Sequence, residues 1–181
     1  MQNYYLIFLK FFIIIFIERE EMKMKYLNKI LDYCTDFINE IDDFEDVVLG
    51  TDFSCYPTTN EVQIAVVASA VNVDSFRENL YSRTAIRDIS EFTWSLLHEV
   101  GHCMTWNYMN KRTQNHCRNI KRKINRGSLP EETYYGLTDE RIATDWAIKF
   151  VEENHGLVKD FDTEILKRLN KFYKLNNVEG C

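Results

Sequence analysis

The sequence predicts an α+β fold in which a small antiparallel sheet packs against two chemistry-bearing helices. Three observations predict it. Residues 26–41 repeat apolar side chains every three or four positions, 47–51 and 62–68 are short β-rich runs, and further helical segments open at Asp88 and Thr138. The 181 residues suit one domain, with 45% apolar and 28% charged residues, the mixture of a chain that buries a core. A net charge of −6 gives no support to nucleic-acid binding.

Residues 1–21 are set apart from the domain at 22–181. Residues 4–17, YYLIFLKFFIIIFI, are too short for a membrane span, which needs about 20 apolar residues, and lack the flanks of a signal peptide. Glu18-Arg19-Glu20-Glu21 is encodable by a purine run of the kind that binds ribosomes, and Met22 and Met24 follow it. The favoured reading takes one of these methionines as the start, with a membrane anchor and a buried helix as alternatives. Five scattered cysteines without a CxxC spacing indicate reduced thiols and a cytoplasmic protein.

In the helix of residues 26–41, Leu27, Ile30, Leu31, Cys34, Phe37, Ile38 and Ile41 share one face, and Asp42-Asp43 ends the pattern. Residues 54–60 contain Pro57 and Asn60 and read as the connection between the two strands. Residues 74–82 form a short helix and 83–87 a loop. Asp88, with Glu91 three positions on, has the form of a capping box for a helix that reaches about Asn110. The helix from Thr138 has Asp139 and Glu140 in its first turn and is expected to run to about His155, ended by Gly156 in the left-handed conformation. Residues 162–175 form a last helix.

Within the helix from Asp88 stands His98-Glu99-Val100-Gly101-His102. Imidazoles four residues apart lie one turn apart on one face, so both can bind a single metal ion. Glu99 is rotated by about 100°, away from the ion but within reach of a water beside it. A carboxylate there acts as general base when that water attacks a carbonyl. With four His and sixteen Glu in the chain, chance predicts on the order of 0.01 occurrences of this pattern.

Catalytic zinc takes three protein ligands and an open position. Position 108, where a third histidine would follow in one zinc-protease pattern, is Tyr108. Glu140 is the better candidate. It heads a helix face continued by Ala143, Ala147 and Phe150, an unfavourable place for an unpaired carboxylate unless a cation compensates it. The plainer alternative is an acid complementing the helix dipole, and Asp139 is the substitute ligand. Asp145 is a candidate for orienting a ligand imidazole, and Tyr134 and Tyr135 for donating to a developing oxyanion. Solvation for the first and packing for the other two are the simpler roles.

The pair HEVGH and Glu140-Arg-Ile-Ala143-Thr-Asp-Trp146-Ala147 resembles the ImmA/IrrE-type minimal zincins, in which HExxH is followed by a Glu-x-x-Ala-x-x-aromatic-Ala helix. Thr144 stands where those helices often carry Asn or Asp. The resemblance implies a minimal zincin fold of the gluzincin kind, one Zn2+ held by His98, His102 and Glu140, and Glu99 as base. It further implies a metallopeptidase acting on a protein or peptide, since many relatives are carried by phages and mobile elements and some cleave transcriptional repressors. Residues 62–68 are expected to be a sheet edge on which a substrate strand adds. A catalytically silent scaffold that binds a protein or nucleic acid is the competing class, disfavoured because a pure scaffold needs no Glu99.

Residues 111–126 hold seven basic residues and no acid, so the remainder of the chain has 15 basic against 28 acidic residues, a net of −13. A solvated helix or lid between the ligand helices is the expected role. Binding of nucleic acid or an acidic partner is the alternative, and no aromatic residue is interleaved for base stacking.

Overall fold

The computed structural model describes residues 2–44, 46–50, 52–66 and 73–177. Along the chain these form α1 (Gln2–Ile41), β1 (Asp46–Gly50), β2 (Ser54–Tyr56), β3 (Glu61–Ala65), α2 (Val73–Tyr81), α3 (Glu91–Trp106), α4 (Lys111–Asn125), a 3-10 helix (Glu131–Gly136), α5 (Thr138–Glu153) and α6 (His155–Asn177). The fold is mixed α+β, dominated by helices around a three-stranded sheet.

Residues 4–17 continue the backbone of α1. Among the described residues no helix is long and apolar enough to cross a membrane. Cys34, Cys55, Cys103 and Cys117 are free thiols, and Cys181 lies outside the described residues.

The sheet departs from the expected antiparallel form. The strand order is β1-β3-β2, with β1 parallel to β3 (Val47 opposite Val62) and β2 antiparallel to it (Cys55 opposite Val62). The difference arises because residues 54–56, expected to be connection, are themselves a strand. The chain then reverses twice, once before β2 and once through a turn at 57–60 that puts Asn60 at φ 52°. Two reversals restore the direction of β1 and leave β3 in the middle. Both neighbours of β3 are therefore occupied, and the expected substrate-aligning edge at 62–68 is instead an interior strand. Residues 67 and 68 lie outside the described set.

Apolar faces from every layer meet in one core. Ile30, Cys34, Phe37 and Ile38 of α1 lie against Val158, Phe161, Ile165 and Leu169 of α6, with the Phe37 and Phe161 rings stacked at 3.8 Å. On the other side, α3 places Trp94, Leu96, Leu97 and Val100 between the sheet residues Val62 and Ile64 and the α5 residues Ala147, Ile148 and Val151.

The start of α3 differs from the capping box expected at Asp88. Its cap is Ser90, whose hydroxyl accepts from the Thr93 amide. Asp88 instead pairs with His155 at 3.2 Å and Lys159 at 3.1 Å. α5 ends at Glu153 without help from Gly156, which lies in α6 with no positive φ. The short break at Asn154, whose side chain donates to Phe150 O at 3.0 Å, replaces the glycine stop.

Candidate metal centre

α3 and α5 bring the three predicted ligands together. His98 and His102 are 7% and 5% exposed, and Glu140, from the first turn of α5, is 2% exposed. Among the described residues this is the one group of at least three His, Cys, Asp or Glu side chains whose donor atoms, all within 4.8 Å of one another, are able to hold a metal ion.

The approach of the two helices depends on small residues. A Cβ built on Gly101 would lie 2.6 Å from the carbonyl oxygen of Ala143, which is fully buried. Backbone thus meets backbone one residue before His102 and three after Glu140, and the imidazoles and the carboxylate are drawn to one point.

At that point His98 Nε2 lies 3.0 Å from Glu140 Oε2, and His102 Nε2 lies 3.3 Å from Glu140 Oε1. A tetrahedral ion with bonds of about 2.0–2.1 Å sets its ligand atoms about 3.3 Å apart, so this donor spacing fits a cation. Thr144 fixes the tautomer that such a site requires. Its hydroxyl donates to Glu140 O at 2.8 Å and lies 3.1 Å from His98 Nδ1. The hydroxyl has one proton, so Nδ1–H must donate to it, which leaves the Nε2 lone pair facing Glu140. A lone pair and a carboxylate oxygen at 3.0 Å need a proton or a metal ion between them.

The electrostatics follow from this geometry. Burial acts to raise the Glu140 carboxyl, but the close contacts with His102 and His98 outweigh it and hold it well below the usual carboxylate range. Burial raises the Glu99 carboxyl above its ordinary value, opposed by His98 and reinforced by the charge of Glu140. Glu99 is half-buried on α3, which packs against β2.

Lys121, absent from the predicted site, is its nearest cation. Its Nζ lies 2.5 Å from Glu140 Oε1 and 2.7 Å from Asp139 Oδ2, and 5.0 Å above the Tyr134 ring. Asp139 is 1% exposed, so two adjacent buried carboxylates share one ammonium. Burial would weaken that ammonium's hold on its proton, but the charges on Glu140 and Asp139 more than compensate and raise it. The signal was present in the helical phase: Lys121 falls on the same side of α4 as Thr113, Cys117, Ile120 and Ile124, all buried or half-buried, whereas the other basic residues are exposed.

The Tyr134 ring lies under the Lys121 ammonium, and burial and the negative charge of Glu140 hold its phenol protonated above its usual range. Tyr135 stands edge-on to Tyr134, with its ring centre 5.7 Å away. Asp145 is a correction. It is exposed and paired with Arg83, and the expected contact to an imidazole is made by its neighbour Thr144. His116 is exposed and Cys117 is buried. No family model matches this sequence, and no curated protein and no solved structure matches it significantly.

Proposed function

We propose that the chain is a zinc-dependent metallopeptidase that hydrolyses a peptide bond in a protein substrate, with one Zn2+ held by His98, His102 and Glu140. The observation that carries this proposal is the convergence of two buried imidazole nitrogens on one buried carboxylate, 3.0 and 3.3 Å from its oxygens. Two nitrogens and one carboxylate are the donor set of catalytic zinc sites that leave a fourth position open. The resemblance of HEVGH and the Glu140–Ala147 segment to the minimal zincins supports the same assignment. When bound, the ion supplies Lewis acidity, polarising a carbonyl and acidifying a water at neutral pH.

The chain's own residues provide the remainder. Glu99, raised in proton affinity by burial, is suited to take the proton of the attacking water and pass it to the leaving amine. Among the described residues β2 is the sheet edge next to Glu99, so it replaces β3 as the strand on which an extended substrate aligns. Tyr134, whose ring lies under the Lys121 ammonium that reaches Glu140, is the residue assigned to donate to the carbonyl oxygen as it gains charge.

Glu99→Gln is expected to retain one equivalent of zinc by elemental analysis and to lose roughly 10²–10⁴-fold in peptide hydrolysis. Glu140→Ala and His98→Ala are expected to lose the metal. Undiminished hydrolysis by Glu99→Gln would eliminate this mechanism, and full zinc occupancy in Glu140→Ala would remove Glu140 from the ligand set.

A further inference from the structure

α4 carries a basic face that no part of the described protein neutralises. Lys111, Arg112, Arg118, Arg122, Lys123 and Arg126 are all exposed. At 100° per residue they occupy an arc of roughly 140° on the outer side of the helix, and they extend over about 22 Å. None pairs with a carboxylate among the described residues, although the chain has 28 acidic residues; Arg118 instead covers the Trp106 ring at 4.8 Å. A solvated helix in an acidic protein would ordinarily mix both signs. Here they are separated.

The basic face adjoins the metal centre. Lys121, at the inner border of the arc, reaches Glu140. At the outer border is a shallow depression of about 610 Å³, lined by Arg112, Asn115, His116 and Asn119 of α4 and by Thr138, two residues before Glu140. Thr138 is the first residue of α5, the helix that carries Glu140. The face therefore runs from solvent to the wall of the site.

We propose that this face docks an acidic polypeptide segment, so that the substrate is a protein with a cluster of Asp and Glu close to the bond presented to Glu99. The assignment of that segment as substrate rests on the peptidase function, whereas docking does not. An extended chain rises about 3.3 Å per residue, so about six or seven residues span the face. Carboxylates meet both arginine forks and lysine ammonium groups there. A polypeptide fits better than nucleic acid because the remainder of the chain, at net −13, repels a continuous polyanion, and no exposed aromatic ring on α4 offers a base to stack on.

The test uses the full-length Glu99→Gln protein, so that binding is read without turnover. A fluorescein-labelled decapeptide with six glutamates, its glutamine counterpart and an oligonucleotide of equal charge are titrated by anisotropy, at 50 mM and 500 mM NaCl and with and without chelator. The acidic peptide is expected to bind at least tenfold tighter than the neutral one, to be released by salt and to be insensitive to chelation. Arg112→Glu/Arg122→Glu/Lys123→Glu is expected to lose at least tenfold in that affinity with an unchanged circular dichroism spectrum. Equal binding of the two peptides, or undiminished binding by the triple variant, overturns the proposal, and tighter binding of the oligonucleotide replaces its occupant. The peptidase function fails separately: metal-loaded wild type that binds the acidic peptide but cleaves no peptide leaves the docking face intact.

Discussion

Thr144 has a single hydroxyl proton, and giving it to Glu140 O obliges His98 to present Nδ1–H to the same oxygen. The ligand nitrogen is thereby fixed as Nε2 before any ion arrives. Removing such a partner typically weakens metal binding by about 10–100-fold. Thr144→Val keeps the shape and removes the acceptor, so a loss of that size in zinc affinity is expected by competition with a chromophoric chelator, with Thr144→Ser close to wild type. Equal affinity of the valine variant would show that the imidazole is oriented by packing alone. His98, Glu99 and His102 were legible in the sequence because helical phase alone places them. Thr144 was not, and for Lys121 the helical phase marked only its inward side, because their contacts join α5 to α3 and α4 to α5, and sequence spacing carries no information about which neighbour a side chain meets across an interface. Asp145 has the charge of a group that orients an imidazole, but the helix turns it outward to Arg83.

Among elements, the close crossing of α3 and α5 is what makes three ligands into one site. In an isolated helix Gly101→Ala is favourable by about 1 kcal/mol. In this crossing the added methyl meets Ala143 O at 2.6 Å and Ala143 Cα at 3.2 Å, both in a backbone that cannot rotate aside. Overpacking of this kind costs about 1–3 kcal/mol, which outweighs the propensity gain. Gly101→Ala is therefore expected to lower the melting temperature, and to reduce zinc affinity more than stability because His102 and Glu140 sit on the helices being pushed apart. Melting curves with and without zinc separate the two effects, and a raised melting temperature would contradict the close approach. Ala143 and Ala147 signalled this crossing in the sequence through their size and spacing. The strands were less legible. β2 is only three residues long and lacks the apolar alternation that identifies a strand, since its side chains are half-buried or exposed, and with β2 overlooked the parallel pairing of β1 and β3 had no route.

In the whole molecule, the site is anchored by the last helix of the chain. Asp162 of α6 is 3% exposed and accepts from the Ser90 amide at 3.1 Å, the Thr93 hydroxyl at 2.7 Å and the Ser90 hydroxyl. It therefore secures the first turn of α3, two turns before His98, and its negative charge complements that helix start. The periodicity of residues 162–175 announced a helix, but a pairing across 72 residues has no local signature, and neither does the stacking of Phe161 on Phe37. Asp162→Ala leaves three donors without this acceptor, the buried Thr93 hydroxyl and the half-buried Ser90 amide and hydroxyl, a loss of about 1–3 kcal/mol for a fully buried group before any relaxation. A net loss near 2 kcal/mol would lower the melting temperature by roughly 4–8 °C in a chain of this size. Asp162→Asn keeps one acceptor and is expected to fall between wild type and the alanine variant. Urea unfolding should show the midpoint moving with an unchanged slope, because the surface exposed on unfolding is the same. If Asp162→Ala instead unfolded at the wild-type midpoint, α6 would be packed on the core without fixing α3, and the position of His98 would depend on the α3–α5 crossing alone.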